Sequence, residues 1–453
     1  MPIDPGARGL AAAALPQSSS GNPSTATGGR VGITYTNPTT GMTWTLLDNT
    51  PGQALWKPTR TYDLMPVGSR FSIPYAISGA GFNQTQCRKL RKNGPVAKTN
   101  LRAYFSNFYC DYNGTEINNG NSIVVNSAIE YPIGAARRSF TKSGGTNMQI
   151  ARGDILETDI LPITIPANAW YAEWTWVDAG TAGTYPFEPR TRISNLFGAE
   201  SDAVEAGTGL TNKVLSGTIT NAGSNAFYSA TLITGEAMQW APSYCLLGDS
   251  ITAGYNGWNL GEGDANGNVS GAERLFGAVY DTFNLGVGGT GIFQQVDAYA
   301  LNNRRRRALL AMTGSHLFLG FGHNDLFNYG RTLQQWKDDM ASVIQDLLPY
   351  NKRVIVPTLT PKTTSASGNW TSAADQTADA NSALMVAANA WIRAKSIPGM
   401  DYYVEFSTPA AAPGIETKWN FDGTADKYTD DGAHPTNFTY AAMAAANNVY
   451  AVR

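Results

Sequence analysis

Histidine is scarce in this chain: 453 residues contain three, at positions 316, 323 and 434. Cysteine is as sparse, with Cys87, Cys110 and Cys245 alone. An odd, scattered trio describes no disulfide framework and gives no C-x-x-C metal spacing, although Cys87 and Cys110 are free to pair. Charge is also thin: Asp, Glu, Lys and Arg make up 15% of the chain and sum to -2. That balance excludes nucleic acid as a general partner. The four arginines at 304–307 read as the solvated face of a helix, and the basic residues of 88–98, interrupted by Gly94-Pro95, as a loop. No apolar run approaches the roughly 20 residues of a membrane span. The opening Met1-Pro2-Ile3-Asp4-Pro5 places an acid where a secretory signal carries bases. The expectation is a soluble chain with no ordinary export signal and no membrane insertion.

Three compositional regimes follow one another. Residues 1–60 are rich in Gly, Pro, Ser, Thr and Asn and read as a linker, or as a segment that another chain would order. From 61 to 241 the pattern is strand-like. Trp170, Ala172, Trp174 and Trp176 alternate with Tyr171, Glu173, Thr175 and Val177, a period of two. Short β runs between Gly, Asn and Pro turns predict an antiparallel, jelly-roll-like sandwich. Such a unit serves as a carbohydrate-binding or assembly module, or simply packs on its neighbour. From 242 to 453 strands alternate with helices. Leu333, Trp336, Met340, Val343, Ile344 and Leu347 mark one helical face. Five short apolar strands separated by helices predict a parallel, flavodoxin-like α/β/α layout.

Within that last regime four segments carry chemistry. An apolar run at 244–247 leads into Gly248-Asp249-Ser250, which puts Ser250 at a helix start on the carboxyl edge of a sheet. Asn284-Leu285-Gly286-Val287-Gly288-Gly289-Thr290 is a glycine-rich turn whose backbone N–H groups can approach a substrate. Gly322-His323-Asn324-Asp325 follows a third apolar strand, and an asparagine amide there can donate to an oxyanion. Asp431-Gly432-Ala433-His434 holds the only histidine with an aspartate just upstream. A serine nucleophile needs an imidazole to take its proton and a carboxylate to orient that imidazole.

In order, these G-D-S, N-x-G-x-G-G, G-x-N-D and D-x-x-H segments resemble the four blocks of the SGNH (GDSL-type) hydrolase superfamily. The match covers about the last 210 residues. The resemblance implies Ser250 as nucleophile, His434 as general base and acid, and Asp431 as its orienting carboxylate. It also implies an oxyanion hole from the backbone N–H of Ser250, that of Gly289 or its neighbour Gly288, and the Asn324 side chain. His323 fills the variable position of the third block, as a surface histidine, a contact behind the site or a contact to substrate. No cofactor or metal is implied. Counted from Asp264, the stretch at 264–268 lacks glycine at the sixth position of a calcium loop, and Leu275 stands at the twelfth, where its acid would be.

Trp258, Trp370 and Trp419 follow the first, fourth and fifth expected strands, where they either present flat faces to a sugar or anchor the loops. With loops dominated by Gly, Asn, Ser, Thr and Asp, this suggests an acylated polysaccharide as substrate. A β-sandwich before an SGNH unit resembles carbohydrate O-acetylesterases. Without an export signal it also resembles esterase-bearing tail components of bacteriophages, with other virion proteins or further copies of the chain as partners. A lipase or thioesterase, or a non-catalytic virion protein with a relic hydrolase unit, are the other readings.

Overall fold

The computed structural model describes residues 34–36, 43–48, 55–59, 64–78, 82–181, 183–188, 202–219, 227–237, 239, 241–256, 263–296, 304–312, 314–347 and 352–452. Inside the stretch that reads as a linker, Thr34–Thr36, Thr43–Asp48 and Leu55–Thr59 pair as a small antiparallel sheet.

The strand-rich region contains β1 (Leu64–Pro66), β2 (Phe71–Ser72), β3 (Gln84–Lys92), β4 (Lys98–Ser106), β5 (Phe108–Cys110), β6 (Glu116–Asn118), β7 (Ile123–Glu130), β8 (Ile155–Glu157), β9 (Trp170–Asp178), β10 (Ala203–Gly207) and β11 (Leu232–Ala237). Two antiparallel sheets result, β7-β9-β3-β10 and β8-β4-β11-β1, while β5 and β6 form a separate hairpin. The period of two in β9 sorts its side chains between two apolar clusters. Tyr171 and Val177 enter the main core, whereas Ala172 and Trp174 pack with Leu90, Val214 and Ile219 on the other face.

The basic residues of 88–98 are not a loop. Most of them lie on β3, which pairs with β9 on one side and β10 on the other. Arg88, Lys89 and Arg91 are buried and face Glu130, Glu188 and Glu173 respectively. A charge survives burial only when it is paired and hydrogen-bonded. The Gly94-Pro95 turn also has a buried partner: Asp281 accepts the N–H of Gly94 at 2.8 Å and that of Gly68 at 2.7 Å, and pairs with Lys98.

The C-terminal region contributes β12 (Ser243–Gly248), β13 (Asp281–Asn284), β14 (His316–Gly320), β15 (Arg353–Pro357) and β16 (Tyr402–Val404). They pair in parallel in the order β16-β15-β14-β12-β13. The sheet has a sixth strand that the sequence reading did not expect. Phe71–Ser72 of β2, from the strand-rich region, adds to the edge beside β13. Between the strands run α1 (Ser250–Ala253), α2 (Gly271–Gly277), α3 (Arg304–Met312), α4 (His323–Phe327), α5 (Leu333–Leu347) and α6 (Ser382–Arg393), with α7 (Asn437–Ala445) after the last. Parallel strands require such crossovers. The stripe on α5 buries Trp336, Met340, Val343, Ile344 and Leu347.

Arg305, Arg306 and Arg307 do not form a solvated face either. Arg306 is 1% exposed, and both Arg305 and Arg306 pair with Glu116 of β6. One apolar cluster runs from Leu101 and Phe105 through Phe283 to Leu317 and Val356, so the two regions share a core. The three cysteines are buried, and none of them is in a disulfide. Among the described residues no helix is long and apolar enough to cross a membrane.

Candidate active site

At the carboxyl edge of the parallel sheet, β12 ends in Gly248 and the Asp249 side chain caps α1 by accepting the Ile251 N–H at 2.9 Å. The cap fixes the turn that presents Ser250, which is 8% exposed, as the first residue of the helix. Burial pushes the Asp249 carboxyl up to about 7.

The glycine turn after β13 is tied to this helix. Asn284 accepts the Gly286 N–H and donates to the Thr252 carbonyl, each at 2.8 Å. A methyl group built on Gly288 would lie 3.8 Å from the Ser250 Cβ, so the turn runs alongside the serine. At the end of β14, Asn324 is buried and its amide is held at both ends. Nδ2 donates to the Thr290 carbonyl at 3.0 Å, and Oδ1 accepts from Asn328 at 2.6 Å. Its nitrogen therefore faces the glycine turn, and the second N–H is the one an oxyanion would take. Asp325 braces the same corner by accepting the Ile292 N–H at 3.0 Å, and burial pushes its carboxyl up to about 7.

The loop before α7 completes the arrangement. His434 Nε2 lies 2.9 Å from Ser250 Oγ, and His434 Nδ1 lies 2.6 Å from Asp431 Oδ2. The other oxygen of Asp431 accepts the N–H groups of Ala433 and His434, both at 2.8 Å. Burial raises the Asp431 carboxyl, but the hydrogen bonds and charge of His434 outweigh it and bring it down to about 2. Gly432 makes this loop possible. Its φ is +78°, and a side chain there would meet the Thr363 carbonyl at 2.0 Å.

The tryptophans depart from the expectation of sugar-facing indoles. Trp419 is 0% and Trp370 is 9% exposed. Trp419 donates its indole N–H to the Gly432 carbonyl at 2.8 Å, and Trp370 donates to Thr363 Oγ1 at 3.0 Å. Both act as braces behind the Asp431–His434 loop, because a buried indole needs a partner for its N–H: Trp419 finds it in the loop itself, and Trp370 in Thr363, whose own N–H donates to the Gly432 carbonyl. Trp258 lies outside the described residues. His323 is not a surface histidine. It is buried against Phe327, its Nε2 has no hydrogen-bond partner, and burial followed by the charge of His434 pulls it down to about 3. The ring is therefore neutral at any working pH.

Three tyrosines surround Ser250 that the sequence reading did not single out. The Tyr255 ring packs on His434 at 4.5 Å between centroids, Tyr329 donates its hydroxyl to the Gly289 carbonyl at 2.6 Å, and the Tyr112 ring lies over Gly288. Tyr255 stands five residues past Ser250 and was within reach of a local reading. Tyr112 precedes the serine by well over a hundred residues, and no local pattern points to it. A groove of about 830 Å³ between α2 and α7 does not include Ser250, Asp431 or His434 in its lining. Among the described residues no cluster of His, Cys, Asp and Glu is suited to hold a metal ion.

Nucleophile, base and orienting carboxylate in hydrogen-bond sequence, beside backbone and amide donors, can perform acyl transfer. Residues 244–447 match the family model described as GDSL-like Lipase/Acylhydrolase. No curated protein matches the chain. Among solved structures the chain is similar to a GDSL-like lipase from Bacteroides thetaiotaomicron, with 18% identity, 45% of this chain and 85% of that one covered, and a TM-score of 0.30. It is also similar to a lipolytic protein of the G-D-S-L family from Veillonella parvula, at 18% identity, 46% and 96% coverage and a TM-score of 0.32. A family two carbohydrate esterase from Clostridium thermocellum is 10% identical over 85% of this chain and 96% of that one, with a TM-score of 0.32.

Proposed function

We propose that residues 244–447, which match the GDSL-like Lipase/Acylhydrolase model, form an SGNH-type hydrolase domain, and that the chain is a serine esterase removing O-acyl groups, acetyl foremost, from a surface polysaccharide. The carrying observation is the unbroken hydrogen-bond path from Asp431 through His434 to Ser250, at 2.6 and 2.9 Å.

In this reading Ser250 Oγ attacks the ester carbonyl carbon as its proton passes to His434 Nε2. The carbonyl electrons move onto oxygen, which the backbone N–H groups of Ser250 and of Gly289 or Gly288, together with the Asn324 amide, stabilise. The intermediate then expels the sugar hydroxyl, which takes the proton from His434 and leaves an acyl-Ser250 ester. Water repeats the sequence, yielding the carboxylate and restoring the serine. Asp431 holds the Nδ1 proton in place and balances the imidazolium without itself becoming protonated. Support for a saccharide comes from the exposed aromatic face of Tyr255 beside His434 and from loops rich in Gly, Asn, Ser, Thr and Asp.

The test is acetate release from purified O-acetylated bacterial polysaccharides by the wild type and by Ser250→Ala. The wild type should release acetate, and the variant should be slower by about 10⁶-fold, the scale for a hydrolase that loses its nucleophile. Near-normal release by Ser250→Ala would remove the serine from this role. A preference for p-nitrophenyl octanoate over the acetate would favour a lipase instead.

A further inference from the structure

We propose that Tyr112, carried into the site from the strand-rich region on the β5–β6 hairpin, closes the acyl side of the Ser250 centre and restricts it to short acyl groups. The inference rests on the esterase reading above.

The hairpin tip touches both candidate oxyanion glycines. A methyl group on Gly288 would lie 3.4 Å from the Tyr112 ring and 3.8 Å from the Ser250 Cβ. On Gly289, where φ is +77°, it would lie 2.0 Å from the Tyr112 carbonyl oxygen. The ring is 64% exposed and packs edge-on against Tyr75, with centroids 6.3 Å apart. An aromatic ring so open to solvent and so near a nucleophile is placed to meet substrate.

The tip is rigid. Asp111 Oδ1 accepts the N–H groups of Asn113 at 2.9 Å and Thr115 at 2.8 Å, closing the turn. Below it, the Glu116 side chain is 2% exposed and accepts the N–H groups of Arg305 at 3.0 Å and Arg306 at 2.8 Å, at the start of α3. Arg306 also donates to the Gly114 carbonyl, and the Arg305 guanidinium lies 4.3 Å from the Phe108 ring centre. The arginine cluster thus fastens the hairpin to the hydrolase domain.

The direction follows from the tetrahedral intermediate, whose carbon bears Ser250 Oγ, the oxyanion, the leaving oxygen and the acyl chain. The leaving oxygen must reach His434 Nε2, on the flank where Tyr255 packs on the imidazole. The oxyanion faces the glycine turn and Asn324. The acyl chain takes the remaining direction, away from those N–H groups and past the face of Gly288 that the Tyr112 ring covers. A methyl group fits, and each added methylene runs into the ring.

The experiment compares kcat/KM for p-nitrophenyl acetate, butyrate and hexanoate in the wild type, Tyr112→Ala, Tyr112→Phe and Ser250→Ala. Tyr112→Ala should raise the hexanoate-to-acetate ratio by about tenfold or more, the scale of one or two methylenes against a fitted wall. Tyr112→Phe should keep the wild-type ratio, because the ring and not the hydroxyl sets the limit. An unchanged ratio in Tyr112→Ala, or the same shift in Tyr112→Phe, overturns the proposal. If Ser250→Ala is inactive while the ratio stays fixed, the role of Tyr112 alone is lost. If Ser250→Ala hydrolyses the esters like the wild type, the esterase reading fails first and takes this inference with it.

Discussion

In the parallel sheet, β12 reads SYCLLG and β14 reads HLFLG, and every residue of both is buried. In the antiparallel sandwich, β3 reads QTQCRKLRK, and seven of its nine residues are buried as well. The first pair hides apolar side chains, which is the ordinary way to make a core. The other strand hides cations, each matched by a carboxylate far away in sequence: Arg91 by Glu173, Lys89 by Glu188, Arg88 by Glu130. A core of the first kind loses stability with the volume removed from it. A core of the second kind fails when one partner goes, because the remaining charge stays buried without compensation.

The largest expected effect lies in the hydrolase region. Asp431→Asn keeps an oxygen for the N–H groups of Ala433 and His434 but turns an amide N–H towards His434 Nδ1, favouring the wrong tautomer. The kcat should fall by about 10⁴-fold, with thermal melting unchanged. Steady-state kinetics beside a melting curve measures both, and an unchanged rate would mean that something else orients the imidazole.

In the sandwich the expectation inverts, with stability lost and chemistry kept. Glu173 takes Arg91 at 2.6 Å and the Ala230 N–H at 2.5 Å, and both members of the ion pair are fully buried. Glu173→Ala should cost about 3–5 kcal/mol, read from the denaturant midpoint. The molecules that remain folded should turn over at the wild-type rate. A loss of under about 1 kcal/mol would remove the distinction between the two cores.

The contrast also explains what could be read from the sequence. Strands such as HLFLG announce themselves by hydropathy, and the candidate catalytic segments sit at their carboxyl ends, so the α/β layout and the four candidate segments were legible. The β3 strand was not, because its burial depends on acids 42 to 99 positions away; locally it looks like a solvated loop. The same applies to Arg305 and Arg306, whose partner Glu116 lies in another region. Trp370 lies in a loop as expected, whereas Trp419 ends a short strand, Ile415–Trp419; the orientation of the two depends on Thr363 and Gly432, and spacing alone could not distinguish a sugar face from a brace.

The smallest effect concerns pH. Burial pushes the Asp249 carboxyl up to about 7, whereas an aspartate in the unfolded chain titrates near about 3.9. The folded protein therefore keeps a proton that the unfolded chain releases. The resulting stabilisation is complete below about pH 4 and is lost as pH rises through about 7. Asp249→Asn cannot titrate but still caps Ile251. Relative to this variant, the wild type should lose melting temperature between pH 4 and pH 8, and a gap that does not change with pH would count against a protonated buried Asp249.

The central claim is that Ser250 is the activated nucleophile. It is tested most directly by treating the protein with an ester-like phosphonate, then measuring intact mass and mapping the modified peptide. The account predicts one adduct per chain, on Ser250, forming at the rate at which esterase activity disappears, and no adduct on Ser250→Ala. An adduct on another residue, or full inactivation with Ser250 unmodified, would contradict it.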